Sequence, residues 1–289
     1  MLECSIPKII HQTGPSNRQL WHPLWSRCQQ SWLEKFGDFD YKFWDDSEID
    51  RLIRTEYPEY WKMYQDFPVH IMKIDFVRLC MMHKFGGIYC DLDVFCYQNF
   101  YPELTHPLYL LENPLGNDPI ENSMMCSVPG HPFWIECMEL TKVRYEYVKS
   151  RYPDLFARIE FIANSKEHGL KFRPYFVFYI TGTNHLSAAA RMTNHTVHTL
   201  PGILFNNSDM SYHPEYRTKH VHTGLWGKES QNIYLDKDKA LSTLRTVPIN
   251  AFDFYTDYTG GNYLMKNKID WNKNETDEMI TSSMDYTYL

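Results

Sequence analysis

The sequence has no excess of basic residues: 29 Lys and Arg stand against 36 Asp and Glu, a formal net charge of -7. Counterion-release binding to DNA or RNA needs a positive field that this composition does not supply, so no nucleic acid is expected as a partner. The sequence also lacks any run approaching the ~20 apolar residues that span a bilayer, and residues 1–10 lack the basic start and long apolar stretch of a secretion signal. A chain with no transmembrane segment, working in the cytoplasm, is the expectation, and a viral or bacterial source fits it. The seven cysteines form no Cys-x-x-Cys pair and are odd in number, which argues against a zinc cage or a closed disulfide framework and for a reducing compartment. Sequons at Asn194, Asn206 and Asn274 would matter only in a secretory lumen and are set aside. Gly-x-Ser-x-Gly, Walker A and Gly-x-Gly-x-x-Gly runs are absent too, so the hydrolase, P-loop and dinucleotide classes have no positive support.

What is present is enough chain for a full core. The 289 residues, 43% of them hydrophobic, predict one α/β domain over 1–289, with a core at about 5–135 and further elements at about 136–289. Aromatics reach 16%, with 21 Tyr and 8 Trp; core packing accounts for most, and the remainder suits stacking on sugar faces or a nucleobase.

The apolar run Ile6-Pro7-Lys8-Ile9-Ile10-His11, closed by Thr13-Gly14-Pro15, predicts a buried first strand and a loop. A helix follows over about 24–36, then an alternating strand over 39–44, then a helix that Asp45 or Asp46 can N-cap with Glu48 in its first turn. Pro68 opens a further helix that stops at Gly86-Gly87, and Ile88-Tyr89-Cys90 reads as a strand delivering Asp91-Leu92-Asp93 at its C-terminal end. Alternating strands and helices predict a mostly parallel central sheet flanked by helices, with ligands gathering beyond the strands' carboxyl ends. Residues 132 to about 152 read as helix, 175–180 as a buried strand and 186–191 as helix. Past about Ser230 the pattern weakens, leaving one predicted helix at 237–244.

Two aspartates one residue apart splay in a regular strand, but a turn lets one reach a metal and the other a sugar or ribose. Hard divalent ions held by carboxylates neutralise the charge that builds on a departing diphosphate. Asp75 and Arg78, three apart, share a helix face, where a guanidinium can meet phosphate or carboxylate while Asp accepts from hydroxyls. Alone, an Asp-x-Asp triplet is weak evidence; the segment from Asp75 through the Gly86-Gly87 turn to Val94 gives it context.

That pattern is Asp-x-x-Arg, an apolar helix, then Gly-Gly-Ile-Tyr-x-Asp-x-Asp, with Ile-Pro-Lys-Ile-Ile-His-Gln-Thr and Trp-Asp-Asp upstream. It resembles the DxD-motif sugar-binding glycosyltransferase family, including fungal initiating α-mannosyltransferases and inositol-phosphoceramide glycosyltransferases, and is distantly similar to large clostridial glucosylating toxins. The resemblance is dense from Ile6 to about Val94 and sparse after Pro132. It implies a GT-A type nucleotide-sugar-binding fold, Mn2+ or Mg2+ as cofactor, a UDP- or GDP-sugar donor, a glycan, lipid or protein acceptor, and retention of configuration.

Carried over by position, Asp75 and Arg78 contact donor sugar hydroxyls and phosphate, Asp91 contacts ribose and sugar, and Asp93 is a metal ligand. Asp91, Asp93 and Arg78 form the expected catalytic set, with Asp91 beside Asp93 at the metal. His11-Gln12-Thr13 matches the stretch that cradles the base, but the aromatic that follows in the family is replaced by Gly14, leaving Trp21 or Trp44 for stacking. Tyr89 and Asn122 are donor-side candidates. Lys219-His220-Val221-His222-Thr223-Gly224-Leu225-Trp226 is similar to the closing element of the family, so His220 or His222 is expected at the metal and Trp226 at the donor, with Leu225 where Ser is usual. The alternatives are a non-catalytic sugar- or nucleotide-binding module and a metal-dependent phosphohydrolase using the same aspartates.

Overall fold

In a computed structural model the structure describes residues 5–113, 118–151, 175–206 and 214–221. Its centre is a six-stranded sheet built from β1 (Ile9–Thr13), β2 (Asp40–Trp44), β3 (Gly87–Cys90), β5 (Leu108–Glu112), β6 (Ile120–Ser127) and β7 (His198–Leu200). The spatial order is β2-β1-β3-β6-β5-β7, and β4 (Val94–Cys96) pairs with β8 (Thr218–His220) in a separate two-stranded ribbon. Pairings β1–β2, β1–β3 and β5–β7 are parallel while β3–β6 and β5–β6 are antiparallel, so the mostly parallel sheet expected is observed with one reversed strand, β6, inside it. Among the described residues no helix is long and apolar enough to cross a membrane.

Each face of the sheet is covered. Along β3, Tyr89 joins one apolar cluster with α4 (His70–Phe85) and α5 (Pro132–Arg151), whereas Ile88 and Cys90 join a second with Trp32 and Phe36. That alternation is the period-two signature of a strand buried on both faces. Helix α1 (Trp25–Lys35) supplies Trp32 to the second cluster, and its indole N–H donates to the Val94 carbonyl at 2.8 Å. Six cysteines, Cys28, Cys80, Cys90, Cys96, Cys126 and Cys137, are buried free thiols.

Local chemistry sets the element ends. Asp45 N-caps α2 (Asp46–Glu56) through a capping box with Glu48, so this aspartate acts as a helix cap. Helix α4 starts at His70, two residues after Pro68. It ends at Gly86 (φ 63°) and Gly87 (φ 88°). A Cβ at Gly87 would stand 2.5 Å from the Ile9 carbonyl oxygen, so only glycine lets β3 lie this close to β1.

Two sequence expectations need correction. Strand β1 begins at Ile9, with Ile6 buried ahead of it. Tyr175–Ile180 is a helix, in which Val177 and Ile180, three apart, are both buried; a short apolar run cannot by itself distinguish a buried strand from a buried helix. A second helix follows at Thr183–Met192. The predicted helix at 237–244 lies outside the described residues.

Candidate functional site

Strand β3 is buried at all four positions and hands the chain directly to Asp91. The Asp91 N–H donates to the Ser123 carbonyl at 2.8 Å, and the Val94 N–H donates back to the Asp91 carbonyl at 3.0 Å. That i to i+3 bond turns the chain, so Asp91 and Asp93 aim at one place while Leu92 between them is buried. Gly14 at the end of β1 packs on this turn; a Cβ there would meet Leu92 Cδ2 at 2.9 Å.

The ribbon brings in the third ligand. Val94 pairs with His220, the Val221 N–H donates to the Asp93 carbonyl at 2.9 Å, and His220 Nε2 lies 3.1 Å from Asp93 Oδ1. One ligand atom each from Asp91, Asp93 and His220 lie within 4.8 Å of one another. Burial alone would lower the His220 pKa, but its hydrogen bond to Asp93 and the charges of Asp93, Asp91 and Glu121 raise it overall. The Asp91 carboxyl is pushed up by burial and by Asp93, against the pull of Arg78.

Behind this group sits the helix pair. Helix α4 is buried on nearly every side, so Asp75 and Arg78 are interior residues, 4% and 2% exposed. The sequence placed them on a common face; the fold turns that face into the protein. Arg78 reaches Asp75 Oδ1 at 3.1 Å and Asp91 Oδ1 at 3.4 Å, donates to the Asn122 carbonyl at 2.5 Å, and lies over the Tyr89 ring at 4.8 Å. Asp75 accepts from Asn122 Nδ2 at 3.0 Å and from Thr181 Oγ1 at 3.1 Å, and burial pushes its pKa up to about 7. Tyr89 donates to Asp91 Oδ1 at 2.7 Å and shares a 3.2 Å hydrogen bond with Thr13.

The stretch His11-Gln12-Thr13 supports this cluster from below. Trp44 Nε1–H donates to His11 Nδ1 at 3.1 Å, which leaves His11 Nε2 to donate to the Gly86 carbonyl at 3.0 Å. Both ring nitrogens are committed, and burial lowers the His11 pKa to about 4. Gln12 Nε2 donates to the Asp91 carbonyl at 3.2 Å while its Oε1 accepts from Tyr41 at 2.6 Å. Gln12 therefore braces the Asp91 turn, and His11 braces the Gly86 turn that leads into β3. Trp44 and Trp21, 3% and 8% exposed, are core rings, which corrects the expectation that either one stacks on a base. His222 and Trp226 lie outside the described residues.

Thr181 and Glu121 join the site without having been singled out by the sequence. Glu121 interacts electrostatically with His220, Asp91 and Arg78. It comes there through a register shift between Leu110 and Leu111 that bulges β6. Asp75, Asp91, Asp93 and Glu121 are four carboxylates against one guanidinium and one imidazole. That surplus of negative charge, with carboxylate and imidazole as donors, fits a divalent cation such as Mn2+ or Mg2+.

Comparison with known proteins agrees with this geometry. Residues 23–118 match the family described as glycosyltransferase sugar-binding region containing DXD motif. The chain is 34% identical over 145 residues to inositol phosphoceramide mannosyltransferase 3 of Schizosaccharomyces pombe, covering 50% of this chain and 39% of that one. It is 33% identical over 138 residues to mannosyl phosphorylinositol ceramide synthase SUR1 of Saccharomyces cerevisiae, covering 47% of this chain and 35% of that one. The match thus spans well under half the length of these relatives. Among solved structures, the PaToxG glycosyltransferase is similar with a TM-score of 0.41 and 13% identity over 64% of this chain and 68% of that one; a likeness this loose leaves the fold to be read from the strand order. The mostly parallel α/β sheet places the Asp91 turn at the carboxyl end of β3, where the motifs lead one to expect the site. The matched residues 23–118, a third of the chain, carry both Asp75 and Arg78 and the Asp91-Leu92-Asp93 turn, so this part of the chain is similar to the DXD-containing glycosyltransferase sugar-binding region.

Proposed function

We propose that the protein is a metal-dependent glycosyltransferase that moves a sugar from a UDP- or GDP-sugar to a hydroxyl of a glycan, lipid or protein acceptor, with retention of configuration. The observation that carries this reading is the convergence of Asp91, Asp93 and His220 within 4.8 Å directly beside the Asp75, Arg78 and Asn122 network. In this reading Asp91, Asp93 and His220 hold Mn2+ or Mg2+, which when bound neutralises charge on the donor diphosphate.

The chain's own residues do the rest. Arg78, held between Asp75 and Asp91, keeps a fixed positive charge where the leaving group accumulates negative charge. Asp75 and Asn122 present a carboxylate and an amide to sugar hydroxyls, the donor and acceptor types that a polyol needs. Tyr89 and Gln12 fix the side chain and carbonyl of Asp91, so little reorganisation is left to the moment of reaction. The acceptor oxygen bonds the anomeric carbon as the carbon–phosphate-oxygen bond breaks, and with attack from the leaving-group side a phosphate oxygen takes the acceptor proton. No dedicated protein base is required.

The test is incubation with Mn2+ and a panel of UDP- and GDP-sugars without acceptor, scoring both nucleoside diphosphate and inorganic phosphate. Slow Mn2+-dependent release of nucleoside diphosphate from one donor supports the transferase. Free phosphate points to phosphohydrolase chemistry instead, and Mn2+-dependent binding with no release from any donor points to a binding module.

A further inference from the structure

In a chain of net charge -7, no Asp or Glu occurs between Glu3 and Glu34, while Lys8, Arg18 and Arg27 do. The exposed part of this acid-free stretch carries an apolar surface. Leu20 is 64% exposed and Leu24 39% exposed, Pro23 is exposed, and Trp25 is half-buried. A single exposed leucine needs no explanation. Apolar side chains gathered within six residues and flanked by the exposed Arg18 and Arg27 are a different matter, because hydrophobic and cationic groups together complement one kind of surface.

The segment is held in shape. Asn17 caps the short turn by accepting from the Gln19 N–H, and Trp21 Nε1–H donates to the Pro15 carbonyl at 2.7 Å. Arg18 stacks over the Trp21 ring at 4.6 Å, and Trp25 meets that ring edge-on at 6.3 Å. The apolar tip is therefore displayed on a packed indole. Its position also matters. Strands β1, β2 and β3 run parallel, so the segment leaving β1 and the Asp91 turn leaving β3 emerge at the same edge of the sheet, and Gly14 at the segment's root touches Leu92 in that turn.

We infer that residues 16–27 dock the protein on an anionic lipid bilayer. Leu20 and Leu24 enter the boundary between headgroups and acyl chains, Trp25 sits at the interface, and Arg18 and Arg27 meet lipid phosphates. This docking does not rest on the transferase reading.

The experiment is co-sedimentation of the full chain with vesicles of phosphatidylcholine alone and of phosphatidylcholine enriched in phosphatidylserine. The protein is expected to bind the anionic vesicles and to release in high salt. Leu20→Ser with Leu24→Ser is expected to weaken binding at least about tenfold, and Arg18→Gln with Arg27→Gln about tenfold. Mn2+-dependent nucleotide binding should stay unchanged in both pairs, which shows that the variants are folded. Failure of the unaltered protein to bind anionic vesicles, or equal binding by the leucine pair, overturns the inference. Donor hydrolysis on the same samples keeps the two readings distinguishable: hydrolysis without vesicle binding removes the docking surface and keeps the transferase, whereas vesicle binding without hydrolysis keeps the docking surface and counts against the transferase.

Discussion

His220 Nε2 lies 3.1 Å from Asp93 Oδ1, joining residues far apart in the sequence into one group that could hold a metal ion. The ribbon pairing of Val94 with His220 means that the first half of the chain alone does not complete the site.

Replacing Asp93 with Asn should lower Mn2+-dependent donor turnover about 100-fold or more with little change in thermal stability, since it removes one of several crowded carboxylates. Steady-state kinetics alongside a melting curve checks this. Loss of fold with loss of activity would show that Asp93 acts structurally.

Arg78 is the only guanidinium touching both Asp75 and Asp91 among the described residues. Truncation to Ala leaves the buried Asp75 and the half-buried Asp91 without their shared cation, so destabilisation of about 3 kcal/mol is expected. Asp75→Asn, which keeps an acceptor for Asn122 and turns an amide donor to the Thr181 hydroxyl, should cost far less stability while weakening donor binding. Urea unfolding of both variants checks the contrast.

The Asp-x-Asp turn and the Asp75 to Arg78 spacing were legible in the sequence because each is local: a glycine pair, a short strand, one helical turn. What stayed hidden depended on long-range placement. Thr181 reaches Asp75 across 106 positions, and Glu121 enters the site only through an irregular register that no periodicity announces. His11 was legible as a residue near the site but not as a brace, because its role is set by Trp44 and Gly86 on either side of its ring. Asp75 and Arg78 were legible as neighbours but not as buried, since α4 is covered on several sides by elements far away in sequence.

The buried histidines should lose stability on acidification below neutral pH, opposed over the same range by Asp75, whose carboxyl is pushed up to about 7 and is relieved as it protonates. His11 is held at about 4 and His185 at about 3, both lowered by burial, whereas an unfolded histidine titrates near 6.5. A depressed folded pKa contributes stability that is complete above the unfolded value and is lost as pH falls toward the folded one. For His11 that amounts to about 3 kcal/mol between neutral pH and pH about 4. Between neutral pH and pH about 4, the denaturant midpoint of His11→Gln should rise relative to that of the native chain. An equal slope in both would contradict the assignment.

Gly87→Ala should destabilise by about 3 kcal/mol, because φ of 88° is strained for alanine and its Cβ would stand 2.5 Å from the Ile9 carbonyl oxygen. Pushing β3 from β1 also displaces Asp91, so donor turnover should drop further than stability explains. A melting curve and a turnover assay on the same sample check both.

The central claim is that Asp91, Asp93 and His220 together hold a divalent cation with the donor diphosphate, and titration of Mn2+ followed by electron paramagnetic resonance tests it most directly. With UDP or GDP present the free Mn2+ signal should be lost as the ion binds, and His220→Ala and Asp93→Asn should each restore it at the same concentrations. Unchanged Mn2+ binding in both variants would contradict the account.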